Sequence, residues 1–420
     1  MKIFGRLLFG VIVMKKFFAV VIFMLSLSSV GCAEKPVNIE PARNLSTSVD
    51  EFSWKYFATL NHDENIFYSP YGINSALSIL ANGATGDTLK EILSALEADN
   101  LENLNDGHKN FSAFVAKNYD NFAEANLLLI DKKIIGRGLD KNFKRIVNDF
   151  YKSDVREANF SGDVEGEKQK ISRWVSDKTK GFIADYKSIA TADTLTDLLN
   201  VVYFKGKWAI PFKTHKTDTA KFKNRDGSIS EVNMMREVFE HEITYLENDK
   251  FKGIKLPYSE NAAMYLIMPR DDKALNVADV WNAETFDARA DFLNGLSKSS
   301  AFAGEVVVRL PKFELDIENN LVENFKAMGV EKSFSDSAEF FNIVKDTPLK
   351  IGNAQHRAKV KIDEQGTEAA AVTEFTFETT AMPPQYRKFV EFHADRPFFF
   401  VIRDVESGVN LFTGVVNHLD

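Results

Sequence analysis

Four hundred and twenty residues, 45% of them hydrophobic and 36 of them Phe, suffice for one large core or for roughly two or three ordinary domains. A net charge of −8 argues against a nucleic-acid surface, which needs a clustered basic patch. A single cysteine excludes an intrachain disulfide framework.

The chain begins with a targeting pattern. Lys15 and Lys16 precede an apolar run from Phe17 to Leu27, and small residues follow up to Gly31 and Cys32. This is the build of a bacterial-type export signal, for which Met14 makes a more compact start than Met1. Lys15 and Lys16 interrupt the apolar stretch before it reaches the length of a membrane span. Ser29-Val30-Gly31-Cys32 resembles a lipobox, although Ser29 stands where Leu is usual. Lipidation of Cys32 is therefore expected, with plain secretion as the alternative. Residues 33–46 are polar, contain two prolines and show no period, so they read as a tether. The expected organisation is an export signal over 1–32, a tether over 33–46 and one domain over 47–420.

Within that domain, helical patterning runs over Val49–Leu60. Asn65–Leu96 reads as a short strand, a helix, a Gly-rich turn and a second helix, with Ser69 capping the helix that opens at Pro70. Strands and helices mix without steady βα alternation, which predicts an α+β fold.

The stretch Val360–Pro384 has two characters. Val360 and Ile362 alternate with Lys359, Lys361 and Asp363, the period of a half-buried strand. After Gly366 the alternation resumes: Thr367, Ala369, Ala371, Thr373, Phe375 and Phe377 share one uncharged face, and Glu368, Glu374 and Glu378 lie on the other. The stretch ends in Met382-Pro383-Pro384, and proline cannot donate to a ladder. The segment is thus patterned as either a strand or an exposed loop, and an edge strand with a proline turn is the plainer alternative.

The run IDEQGTEAAAVTEF resembles the hinge and reactive-centre loop of the serpins. Other segments resemble the same family in order. NIFYSPYGINSAL with its GATGDTLKEI turn, ISRWVSDKTKGFI, LLNVVYFKGKWAIPF, VVVRLPKF and FHADRPFFFVIRDVESGVNLFTGVV are the clearest. Ala123–Asp131 looks like the family's first long central strand and Lys141–Asp149 like a helix. Together they span Thr47 to Asp420. The resemblance implies three β-sheets, about nine helices and an exposed reactive-centre loop near the C-terminal end. It implies a hinge made of Glu364, Gly366, Thr367, Glu368, Ala369, Ala370 and Ala371. It also implies a polar cluster called the shutter, at Ser69, Asn200 and His356. One departure is Gly72, where the family usually has serine. Family spacing of about sixteen positions from Glu364 puts the reactive bond at Thr380–Ala381, with Glu378–Thr379 and Arg387–Lys388 as rivals.

Enzyme motifs do not compete. His241-Glu242 begins like a zinc-helix motif, but Tyr245 occupies the second histidine's position. No nucleophile elbow, phosphate loop or dinucleotide fingerprint occurs. The expectation is no catalytic residue, no metal and no cofactor. What the resemblance implies is a suicide-substrate protease inhibitor acting as a monomer. Its expected partner is an elastase-like or subtilisin-like serine protease, or a papain-like cysteine protease. No nucleic acid is expected to bind, and membrane contact would come only through the lipid. The alternative is a non-inhibitory serpin acting as a binding or chaperone-like protein.

Overall fold

The computed structural model describes residues 40–136, 138–345, 347–367 and 388–420. Among them are ten α-helices and sixteen strands. The helices are α1 (Glu40–Phe57), α2 (Pro70–Gly83), α3 (Gly86–Ala95), α4 (Leu101–Asn118), α5 (Lys132–Ile135) and α6 (Lys141–Tyr151). They continue with α7 (Phe160–Lys178), α8 (Val277–Asn282), α9 (Phe286–Lys298) and α10 (Leu321–Ala327). The strands are β1 (Ile66–Tyr68), β2 (Phe122–Asp131), β3 (Asp154–Ala158), β4 (Thr196–Phe204), β5 (Asp218–Lys223) and β6 (Ile229–Glu240). Next come β7 (Thr244–Glu247), β8 (Phe251–Pro257), β9 (Ala262–Pro269), β10 (Gly304–Pro311) and β11 (Phe313–Asn320). The last five are β12 (Asn353–Asp363), β13 (Gly366–Thr367), β14 (Lys388–His393), β15 (Phe398–Asp404) and β16 (Asn410–Val416).

The strands form three sheets, and the α+β class holds. The central sheet has the order β11-β12-β4-β2-β3, with β13 paired to β12. A second sheet runs β1-β16-β15-β9-β8-β7, and a third runs β14-β10-β6-β5. Alternation along the central strands separates two apolar layers. On one face Leu128, Leu198 and Val202 join the main core with Ile73 and Leu77 of α2. On the other, Leu127, Leu129, Leu199 and Val201 pack against Ile171, Trp174 and Val175 of α7 and against Ile183, Tyr186 and Ala190 beyond it.

Every residue of α2 is buried, so this helix sits inside the molecule rather than on it. Ser69 caps it as the sequence predicts, accepting from Gly72 N at 3.0 Å. The N-terminal boundary needs correction. The tether expected over 33–46 does not reach Ser46, because α1 already starts at Glu40. Leu45 joins Val49 and Phe52 as one buried stripe. Pro41 hid this start, although a proline in the first helical turn forfeits only a hydrogen bond that is unmade there anyway. The same helix ends at Phe57 rather than Leu60.

Candidate functional site: the seam of the central sheet

β12 lies parallel to β4 only from Asn353–Asp197 to Lys359–Tyr203. Beyond Lys359 the two strands part. There β12 turns at Glu364 and Gln365 and comes back as β13, antiparallel to itself, pairing Ile362 with Thr367 and Asp363 with Gly366. Gly366 also forms an antiparallel bridge with Lys207, just past the end of β4. Thr367 N donates to Gly206 O at 2.6 Å. The chain thus enters the central sheet in the gap between β12 and the continuation of β4. Only glycine fits at position 366. Its φ is +143°, and a Cβ would lie 2.1 Å from Gly206 O.

Aromatic and polar groups hold this corner. Trp208 stacks on Tyr258 at 4.5 Å with 9° between the rings. Trp208 Nε1 donates to Asp363 O at 3.0 Å, and Trp208 N donates to Gln365 O at 2.9 Å. The Tyr258 hydroxyl lies 2.9 Å from Thr367 Oγ1. Glu364 is buried; Lys312 Nζ stands 2.8 Å from its carboxylate and Thr217 Oγ1 donates to it at 2.8 Å. Burial would raise the Glu364 carboxyl, but Lys312 and Thr217 together hold it below the usual range.

Thr367 is fully buried. As a hinge residue of the resemblance it would be expected to enter the sheet only on insertion. Instead it is already inside, because Gly366 turns it inward and Tyr258 offers its hydroxyl a partner. Glu368, Ala369, Ala370, Ala371, Thr380, Ala381 and Cys32 lie outside the described residues.

Halfway down the seam, Ser69, Asn200 and His356 come together. His356 of β12 stands opposite Asn200 of β4 in register. Ser69 N donates to His356 Nε2 at 3.0 Å, so the ring proton is assigned to Nδ1, which lies 2.6 Å from Asn200 Oδ1. Burial lowers the His356 imidazole to about 3, which keeps it neutral. Asn200 Nδ2 then donates to Asn126 Oδ1 at 2.7 Å and to Glu124 Oε1 at 3.2 Å.

Glu124 was not singled out by sequence reasoning. Burial pushes its carboxyl up to about 7, against hydrogen bonds from Ser75, Asn126 and Asn200. The departure at Gly72 also acquires a reason here. A Cβ at Gly72 would lie 2.6 Å from both Asn200 Oδ1 and Val202 Cγ2. With no side chain on α2 at this point, Asn200 packs directly against the helix, and the Glu124 carboxyl takes its amide. The one available signal was an acid inside the run AEANLLLID, one residue from its start.

The third sheet ends in β14, which lies parallel to β10 from Gly304–Lys388 to Arg309–His393. The chain that leaves the central sheet at Thr367 therefore returns at Lys388, at the edge of a different sheet. His241 sits in the bend after β6, at a φ of 64°, and not on a helix. No cluster of three metal-ligating side chains occurs among the described residues.

The class that the structure defines is a three-sheet α+β protein whose chain leaves the central sheet at Thr367 and resumes at Lys388 on the edge of another sheet. The chain belongs to the serpin family: the family model described as "Serpin (serine protease inhibitor)" matches residues 47–419. It is 30% identical to the leukocyte elastase inhibitor of Bos taurus over 380 residues, 88% of this chain and 98% of that protein. It is also 30% identical to the alpha-1-antiproteinase of Rattus norvegicus, with 89% of each chain covered. Among solved structures, native tengpin, a thermophilic serpin, superposes with a TM-score of 0.78 at 24% identity, covering 92% of this chain and 96% of that one. Human thyroxine-binding globulin superposes with a TM-score of 0.75 at 26% identity, covering 90% and 99%.

Proposed function

We propose that this protein is a suicide-substrate protease inhibitor. The observation that carries the reading is β13. Two residues of the loop already form an antiparallel strand between β12 and the continuation of β4, aimed down the seam. Extending that strand would exchange one parallel ladder for two antiparallel ones, which are slightly more stable per residue.

The mechanism follows from that exchange. A protease attacks the loop as substrate and forms an acyl-enzyme. Cleavage frees the upstream half from its tie at β14. It inserts below Thr367 and carries the tethered protease about 44 Å, taking the thirteen residues from Glu368 to Thr380 at about 3.4 Å each. About a dozen new ladder hydrogen bonds at about 1 kcal/mol each favour this step. Burial of Phe375 and Phe377 would add about 1.5–3 kcal/mol apiece. Trapping requires insertion to outrun hydrolysis, and the small side chains of Ala369 and Ala371 keep entry cheap.

Thr380 as the reactive residue is small and β-branched, which suits a shallow primary pocket. Elastase-like or subtilisin-like serine proteases are the proposed targets, with papain-like cysteine proteases next. The name of the Bos taurus relative, leukocyte elastase inhibitor, supports the first. Incubation with a panel of such proteases should give an SDS-resistant complex with at least one. Cleavage of the loop by all of them without any complex would overturn the inhibitory reading in favour of a non-inhibitory serpin.

We further propose export and lipid anchoring through Cys32. The pattern Lys15-Lys16, the apolar run and Gly31-Cys32 supports this. Metabolic labelling with a fatty-acid analogue should tag the wild type and leave Cys32→Ala unlabelled. Equal labelling of both, or of neither, would sink the lipid anchor.

A further inference from the structure

We propose that Asp197 is a proton-operated latch on the segment covering the central sheet. Ionised, it loosens residues 183–190 over the seam; protonated, it lets them close. Asp197 is the second residue of β4 and stands opposite Asn353 of β12 and Leu129 of β2. Alternation places it on the same face as Leu199 and Val201, the face covered by α7 and by Ile183, Tyr186 and Ala190. It is 2% exposed, and its Oδ1 has no hydrogen-bond partner among the described residues.

The charged and titratable groups that pack on that face have other partners: Asp131 of β2 accepts from Lys133 N at 2.9 Å and from Ser161 N at 2.9 Å, and Lys187 of the cover is exposed. From the cover, Tyr186 OH donates to Gln355 Oε1 at 2.8 Å, and Asp185 accepts from Arg357 at 2.8 Å. From β12, Arg357 also holds Asp316 of β11 at 2.8 Å, and Lys359 pairs with Glu314 at 3.0 Å. Glu318 of β11 accepts from Gln355 at 2.8 Å. From β3, Arg156 pairs with Asp154 at 2.8 Å, and on α7 Lys170 pairs with Glu167 at 2.8 Å. Among the described residues no cation pairs with Asp197, and burial alone pushes its carboxyl up to about 7. Sequence reasoning passed over it inside the buried run TDLLNVV.

The sign follows from linkage. The closed cover keeps the proton up to about pH 7, whereas a hydrated Asp197 loses it near the ordinary carboxylate value of 3.8. Opening is therefore favoured as pH rises between those values, by up to about tenfold per unit, and levels off above 7. The two buried histidines of opposite sign, His108 and His356, belong to the other face of the sheet and do not report on the cover.

The test is hydrogen exchange of the backbone amides of residues 183–190 in the mature chain at pH 5 and pH 7.5, corrected for intrinsic exchange. Opening in the wild type should rise at least about tenfold. In Asp197→Asn it should change less than about twofold, while Glu124→Gln, on the opposite face, should keep the wild-type response. A flat wild-type profile overturns the proposal even if Asp197→Asn fails to fold. An undiminished response in Asp197→Asn overturns it too. The measurement needs no protease, so it stands apart from the inhibitory reading.

Discussion

At the residue scale, the cluster of Ser69, Asn200 and His356 illustrates what one missing side chain can redirect. Ser69, Asn200 and His356 were named together by the family resemblance, which implies that they meet, and not by any local spacing. Glu124 and Asp197 were not legible, because an acid in an apolar strand reads as a strand residue facing solvent. Whether it faces solvent depends on what packs across the sheet, and no local period carries that. Gly72 was legible as a departure, but its reason lies on β4, over a hundred residues away. The structure makes a directional prediction. Gly72→Ser supplies a hydroxyl but pushes a Cβ to 2.6 Å from Asn200 Oδ1 and Val202 Cγ2. Crowding of a packed core costs about 1–3 kcal/mol, so the variant should be less stable than wild type by that order. Chemical denaturation of the two proteins side by side checks it. A gain in stability would show that α2 can retreat from the sheet at no cost, and that the Gly72–Glu124 exchange is not an adaptation of packing.

At the element scale, only the last stretch of alternation in β12 was legible, from Lys359 on, whereas the strand begins at Asn353. Val360 and Ile362 are buried and Lys361 is exposed, as alternation requires. What alternation could not locate is where the strand ends and the loop begins, because Gly366 is compatible with either. The ion pair of Glu364 with Lys312, the Trp208–Tyr258 stack and the carbonyl of Gly206 fix that point, and all involve residues distant in sequence from the hinge. The finding that Thr367 is already seated alters what its replacement should do. In Thr367→Arg the guanidinium cannot stay in the Thr367 site, since an unpaired buried charge there costs several kcal/mol. It must swing out and draw β13 from the gap, which breaks the bonds to Gly206 and Tyr258. The variant should therefore lose stability even before meeting a protease. It should then behave as a substrate, because the first step of insertion is reversed and deacylation wins. Two measurements check this: the thermal midpoint, expected to fall, and the number of inhibitor molecules consumed per protease trapped, expected to rise severalfold. Unchanged stoichiometry would mean that insertion does not begin at Thr367.

At the scale of the whole molecule, the two ends of the loop are tied to different sheets, Thr367 to the central one and Lys388 to the edge of the third. Only cleavage between those ties lets the upstream half travel, and the position of the cut decides how far. The seam below Thr367 pairs β12 with β4 down to Asn353–Asp197 and must open over that whole length. In the register that pairs Ile362 with Thr367, the seam down to Asn353 takes the insert to Thr376, so a cut at Thr380–Ala381 fills it with four residues to spare. A cut at Arg387–Lys388 leaves one too long, so trypsin-like proteases should cleave the loop there and escape. A cut at Glu378–Thr379 shortens the insert and would point to a glutamate-preferring protease. Pro383 and Pro384 favour an extended backbone just downstream of the bond, as a protease cleft requires. Intact-mass analysis of the C-terminal peptide released from a denatured complex distinguishes the three. A peptide beginning at Ala381 is expected with an elastase-like or subtilisin-like protease. A peptide beginning at Thr379 or Lys388 in a stable complex would overturn both the bond and the specificity inferred from Thr380.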